Sequence, residues 1–199
     1  MTREEEAGII SRVLAGDANA FEPLVTANQS RVYNLALKML SNPEDAWDVS
    51  QETFTKAFRS LKSFRGESSF SSWLYRITAN MCLDFLRRNK KRAAASIVYL
   101  DDDDAQRELE LPDERFCPET ELERRELHRA VSSALGELPQ DMRSVLVLRE
   151  VSGLSYVEIS SLLGLETGTV KSRIFRARAR LAKVLEESGN FFEKHASKR

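Results

Sequence analysis

Apolar residues recur along this chain at intervals of three and four rather than two, a period that predicts helix almost throughout. Phe21, Leu24, Val25, Val32, Ala36, Leu37 and Leu40 form one stripe, closed by the turn signal Ser41-Asn42-Pro43. From Glu44 a second helix follows, with Trp47, Phe54, Phe58 and Leu61 as apolar anchors and Glu44, Asp45, Asp48 and Glu52 as an acidic face. On spacing alone that face reads as the solvated side of a core helix. After Phe64-Arg65-Gly66-Glu67 a third helix carries Phe70, Trp73, Leu74, Ile77, Met81 and Phe85 on one stripe and closes with Arg87-Arg88-Asn89-Lys90-Lys91-Arg92. Only 8 Gly and 5 Pro interrupt 199 residues, so the expected fold class is all-α.

Charge then reverses. From Asp101 to Glu126 twelve acidic side chains stand against four arginines, and Pro112 and Pro118 break the stretch. So little apolar surface up to Leu109 cannot hold a fixed fold, which marks a linker. Solvation of a tether accounts for Asp101 to Asp104; screening the basic surfaces from stray nucleic acid is a second reading of the same run. A second small helical domain follows, with Leu127, Val131, Leu135 and Leu138 on its first helix, then Pro139, then Met142, Val145, Leu146 and Leu148. The expected division is two small domains, 1–94 and 118–188, a linker 95–117 and a tail 189–199 containing Phe191 and Phe192.

Composition narrows the classes of function. Hydrophobic residues at 42% and charged residues at 31% suit folded helical cores with charged faces, and a net charge of -1 gives no global sign of a polyanion partner. Cys82 and Cys117 lack the spacing of a disulfide framework or zinc site and read as incidental thiols. The start, Met1-Thr2-Arg3-Glu4-Glu5-Glu6, lacks the order of a signal peptide, and no run approaches the ~18 apolar residues of a membrane span. The expectation is a soluble cytoplasmic protein without membrane insertion. His128 and His195 have no nucleophile, metal set or phosphate loop beside them, so no enzyme, catalytic residue, metal site or cofactor is expected.

The strongest local signal begins at Gly153. Ser155 and Glu158 form an S-x-x-E capping box, Ile159, Leu162 and Leu163 give the following helix a buried face, and Gly164 permits the left-handed turn that ends it. Thr167 or Thr169 then caps a helix reaching Lys183, whose Val170, Ile174, Ala177 and Leu181 share one core-facing stripe. Thr169, Ser172, Arg173, Arg176 and Arg180 fall on one outer flank, and Thr167 to Lys183 holds six basic side chains, Lys171 among them, and no acid. Two helices joined by a short turn, the second basic and exposed, make a helix-turn-helix that enters the major groove. Arginine suits both jobs there, since its planar fork binds guanine bidentately or grips phosphate.

The first half discriminates among helix-turn-helix proteins. Asp48-Val49-Ser50-Gln51-Glu52-Thr53-Phe54, Phe64-Arg65-Gly66 and Phe70 through Asn80 closely resemble region two of bacterial sigma factors of the extracytoplasmic-function group. Leu138-Pro139 through Arg173 resembles their region four, in the expected order. The resemblance implies that Asp48, Gln51, Glu52 and Phe54 dock on the clamp coiled coil of core RNA polymerase. It further implies that Arg65, Ser68, Ser69, Ser72, Trp73, Arg76 and Asn80 open and read the minus-ten element as a single strand, with Arg87, Arg88, Lys90, Lys91 and Arg92 following the phosphates. Trp73 sits on the apolar stripe, which favours core packing over base stacking. Thr167, Thr169, Lys171, Ser172, Arg173, Arg176 and Arg180 would read the minus-thirty-five duplex. Implied partners are the polymerase clamp and flap, promoter DNA and an anti-sigma factor, with a stress or envelope regulon and a monomer when free. The rival is a free-standing helix-turn-helix repressor or activator, which would need a dimer to match a two-fold operator; no dimerisation helix is apparent.

Overall fold

The computed structural model describes the backbone of residues 1–95 and 118–187, and the side chains of 1–90, 126, 127 and 129–187. The expected linker beyond Ala95, the tail, Cys117, Phe191, Phe192 and His195 lie outside these described residues, as does the side chain of His128. All regular structure within them is helical, divided into two compact units.

The first unit begins with α1 (Arg3–Leu14), a helix that the apolar stripes do not announce. Its signal is a cap: Thr2 Oγ1 accepts from Glu5 N–H at 3.2 Å and Glu5 Oε2 accepts from Thr2 N–H at 2.7 Å. A short 3-10 turn, Ala18–Phe21, leads into α2 (Glu22–Leu40). Ser41 takes a left-handed φ of 57°, and Asn42 then caps α3 (Pro43–Arg59) by accepting from Glu44 and Asp45 N–H at 2.9 and 3.0 Å. A second 3-10 turn, Leu61–Ser63, precedes the loop into α4 (Phe70–Ala95).

Helices α2, α3 and α4 pack mutually, and the lines along which they meet differ from the expected ones. On α3 the buried side is Ala46, Val49, Ser50, Thr53 and Ala57, while Trp47 is 56% exposed, Phe58 40% exposed and Phe54 half-buried. On α4 the core line runs through Phe70, Leu74, Thr78 and Cys82, with Ala79 and Leu83 beside it; Trp73, Ile77, Met81 and Phe85 flank it half-buried. On α3 the seam is built from alanine, serine and threonine around Val49, and it meets large residues, Phe70 and Leu74, on α4. Its hydroxyls are satisfied one turn back: Ser50 to Ala46 O at 2.6 Å, Thr53 to Val49 O at 2.8 Å and Thr78 to Leu74 O at 2.9 Å.

The second unit contains α5 (Pro118–Gly136), α6 (Gln140–Glu150), α7 (Tyr156–Leu163) and α8 (Thr167–Glu187), the last packed on the other three. Leu135 and Leu138 are buried as expected, Val131 is half-buried, and Leu127 is 40% exposed. Residues 143–148 of α6 are all buried, including Arg143. That guanidinium caps the end of α5, donating to Leu135 O at 2.7 Å, to Leu138 O at 3.0 Å and to Gly136 O.

Candidate nucleic-acid interface

The turn between α7 and α8 follows the sequence closely. Ser155 Oγ accepts from Glu158 N–H at 3.2 Å, Glu158 Oε2 accepts from Ser155 N–H at 2.9 Å, and Gly164 closes α7 at φ 65°. The start of α8 differs from expectation. Thr167 is already in the helix and its hydroxyl donates to Ser160 Oγ at 3.4 Å, while Thr169 lies a residue pair further in, so neither threonine stands at the cap position. Ser160 also donates to Leu165 O, which ties the turn from the α7 side.

Along α8, Val170, Ile174 and Ala177 are buried and Leu181 half-buried, which turns the opposite side to solvent. Lys171, Ser172, Arg176 and Arg180 are exposed, and Thr169 is half-buried. Arg173 is held back: its side chain is 28% exposed and lies 3.7 Å from Asp141 of α6. Arg178 is paired with Glu150. Phe175, absent from the expected contacts, is 76% exposed in the middle of this basic surface. Its place just past Ile174, off the stripe of Val170, Ile174 and Ala177, is the signal that could have found it. A second unforeseen cluster surrounds Tyr156, whose ring centroid is 4.8 Å from Arg149 Cζ and 5.9 Å from Lys171 Nζ.

In the first unit Asp48, Gln51 and Glu52 are exposed on α3 and Phe54 is half-buried. Gln51, Phe54, Trp47 and Phe58 form one wall of a groove whose other wall is Phe21, Val25 and Tyr33; Trp47 meets Tyr33 edge-on at 6.3 Å. Burial raises the Asp45 carboxyl above its ordinary range, and the neighbouring charges of Asp48 and Glu44 add to it. An acidic face crowded in this way favours a cationic partner.

Ser72, Arg76, Asn80 and Arg87 are exposed at helical spacing along one side of α4. Asp84 shares that side and meets Arg87 at 3.2 Å, an acidic interruption in the line. Arg65 and Lys90 are exposed and Ser68 is half-buried; the side chain of Lys91 is outside the described residues. Arg88 Nη2 lies 4.0 Å from Glu52 Oε2, so the two expected sites of the first unit adjoin. Ser69 is occupied structurally: its Oγ accepts from Ser72 N–H at 3.2 Å, capping α4, and lies 2.8 Å from Ser72 Oγ. Trp73 packs against the core at 5.3 Å from Phe64 and 5.7 Å from Phe70, in line with core packing rather than a free stacking platform. Among the described residues no group of acidic, histidine or cysteine side chains is arranged to hold a metal ion, and no helix is long and apolar enough to cross a membrane.

Comparison with known proteins agrees with this division. The family model for sigma-70 region 2 matches residues 24–92, and that for sigma-70 region 4 matches residues 128–181. The chain is 37% identical over 192 residues to the RNA polymerase sigma-H factor of Pseudomonas aeruginosa, covering 94% of this chain and 96% of that one. It is 39% identical over 176 residues to the ECF RNA polymerase sigma-E factor of Haemophilus influenzae, covering 87% and 91%. Among solved structures it is similar to CnrH in complex with the cytosolic domain of CnrY (TM-score 0.54, 30% identity, 91% and 97% covered). It is also similar to RpoE of Bartonella quintana in complex with the anti-sigma factor NepR (TM-score 0.58, 25% identity, 83% and 96% covered). The chain therefore belongs to the sigma-70 family and is a sigma factor of its extracytoplasmic-function group, directing transcription by RNA polymerase.

Proposed function

We propose that this sigma factor docks on the polymerase clamp coiled coil through Asp48, Gln51, Glu52 and Phe54 and divides promoter recognition between its two units. Residues 1–94 take the minus-ten element as a single strand, along Arg65, Ser68, Ser72, Arg76, Asn80, Arg87, Arg88, Lys90 and Lys91. Residues 118–188 take the minus-thirty-five duplex, with Lys171, Ser172, Arg176 and Arg180 of α8 in the major groove and the second unit resting on the polymerase flap. The segment 95–117 is the tether. Ser69 and Trp73 hold the reading segment in shape rather than touching bases, and Arg173 reaches DNA by exchanging Asp141 for phosphate. Phe175 adds an apolar contact of the kind that recognises a thymine methyl group.

One observation carries this reading: each contact line runs along the solvent side of a helix whose opposite side is buried, Arg76 and Asn80 against Leu74 and Thr78, Ser172 and Arg176 against Val170 and Ile174. No covalent step belongs to the chain; the polymerase supplies the chemistry. It works in the cytoplasm, as a monomer when free, on a stress or envelope regulon, and an anti-sigma factor holds it in reserve, a partner type supported by the solved complexes of CnrH and RpoE.

Run-off transcription by core polymerase with and without the chain tests the reading. The double variant D48R/E52R is expected to keep its helical circular dichroism and lose at least tenfold in core affinity. Undiminished binding would move the docking face elsewhere. If the chain shifted duplex DNA alone but supported no initiation with core on any template, the docking and promoter assignments would both fall.

A further inference from the structure

Helix α1 reaches into the segment that reads the minus-ten strand. Of its three consecutive glutamates, Glu4 and Glu5 are exposed and Glu5 closes the cap of α1 itself, whereas Glu6 is half-buried. Its Oε2 accepts from Phe70 N–H, the first amide of α4, at 3.4 Å across 64 residues of chain. Apolar contacts of the same helix back this bond. Ile10 is buried in one cluster with Phe21, Phe70 and Leu74, and Ile9 and Val13 pack against it.

The loop between Phe64 and Phe70 depends on such ties. Gly66 turns it at φ 72°, and its side-chain bond within the loop is local, Ser68 Oγ to Ser69 O at 3.4 Å. Its position is therefore set at its ends, by Phe64 packed on Phe70 and Trp73 and by the cap of α4. That cap is shared: Ser69 Oγ serves Ser72 N–H and the Glu6 carboxylate serves Phe70 N–H. A carboxylate at a helix N-terminus is also stabilised by the positive end of the helix dipole.

We propose that Glu6 is a positioning residue for minus-ten recognition: its carboxylate fixes the first turn of α4, and with it the Arg65–Ser72 segment, in the geometry that captures unpaired bases. Ser72, Arg76 and Asn80 follow as one rigid line, so a small shift at Phe70 is carried to each of them. The inference rests on the assignment of that segment to the minus-ten strand.

The test uses holoenzyme assembled from core polymerase and the full chain, on a promoter from which the wild type initiates, with a fork template whose minus-ten segment is single-stranded. Glu6→Ala is expected to weaken capture of the fork five- to tenfold while core affinity stays within twofold. Glu6→Gln, which keeps an acceptor oxygen, is expected to stay within twofold of wild type in both. A buried substitution distant from the loop, Leu35→Val, serves as a stability control and is expected to leave capture unchanged even where it lowers the melting temperature as much as Glu6→Ala. Capture by Glu6→Ala within twofold of wild type would overturn the proposal. So would equal loss in Leu35→Val at matched stability, or equal loss in Glu6→Gln. A wild type that captures no fork although it binds core would instead overturn the minus-ten assignment.

Discussion

Arg143 shows how a residue that looks misplaced in sequence is required by its backbone. Only 7% of it is exposed, and burial lowers its pKa below the usual arginine value. Its fork nevertheless reaches three carbonyls where α5 ends, those of Gly136 and Leu138 and that of Leu135, which also accepts from Leu138 N–H at 3.2 Å. Arg143→Met keeps the stem and removes the guanidinium from all three oxygens; Leu135 O keeps its bond from Leu138 N–H and Gly136 is open to water, so the loss falls mainly on Leu138 O and is expected to cost about 2 kcal/mol. Urea denaturation of the full chain, followed by circular dichroism, measures it; a loss under about 1 kcal/mol would mean that water replaces the guanidinium. Cys82 is the converse case, a reactive group made inert by its site. It is buried between helices, and desolvation pushes its thiol up to about 12. The sign follows: the fold favours the neutral thiol, so this contribution to stability is complete below pH 9, where the unfolded thiol ionises, and is lost as pH rises toward 12. In a Cys117→Ser background the remaining thiol is expected to react with iodoacetamide at pH 8 no faster than the unit unfolds, and rapid labelling under native conditions would contradict the burial.

At the scale of elements, what could be read in the sequence depended on whether a local rule or a packing choice decided the outcome. The α7–α8 turn was legible because its cap, Ser155 with Glu158, and its left-handed Gly164 obey backbone rules that hold whatever packs around them. The stripe Val170, Ile174, Ala177 was legible because its spacing of four and three marks one helix face, and the larger Phe175 falls off that face. On α3 the rule of following the largest apolar residues pointed to Trp47 and Phe58, but the side that packs inward carries Ala46, Val49, Ser50, Thr53 and Ala57. A hydroxyl satisfied by the carbonyl one turn back is indistinguishable in sequence from one facing water, and α1 was missed because its cap precedes a weak apolar stripe. The exposed side of α4 was legible at Arg76 and Asn80, whereas the capping role of Ser69 and the Asp84 interruption depend on three-dimensional neighbours. Gly164 offers the cleaner element-level test. A Cβ there would meet nothing within 4 Å, so Gly164→Ala measures backbone strain alone, expected at roughly 1 to 2 kcal/mol. Thermal unfolding checks it, and an unchanged midpoint would show that α7 ends without the left-handed residue.

For the whole molecule, a net charge of -1 conceals the two proposed basic contact lines, separated in the sequence by an acidic stretch, so on this proposal affinity for a promoter depends on how the two recognition events are joined. Two modest sites on one chain gain from tethering because the second binds at an effective concentration set by the connecting length, which falls roughly as the inverse three-halves power once the tether exceeds the span. In the proposed division the tether is the segment 95–117, 23 residues that begin at the last residue of α4. Doubling it with glycine and serine is expected to lower the effective concentration about threefold. Holoenzyme affinity for a promoter carrying both elements should therefore fall about threefold, while affinity for a fragment carrying either element alone should stay constant. Arg176→Ala in the same assay separates two modes of contact. If its guanidinium grips phosphate, every sequence weakens alike and the salt slope falls by about 1; if it reads a base, selectivity relaxes at one position of the minus-thirty-five element. Should the lengthened chain bind the two-element promoter as tightly as the wild type, the reach would be set by where polymerase seats each unit, and the tether would then carry no selectivity of its own.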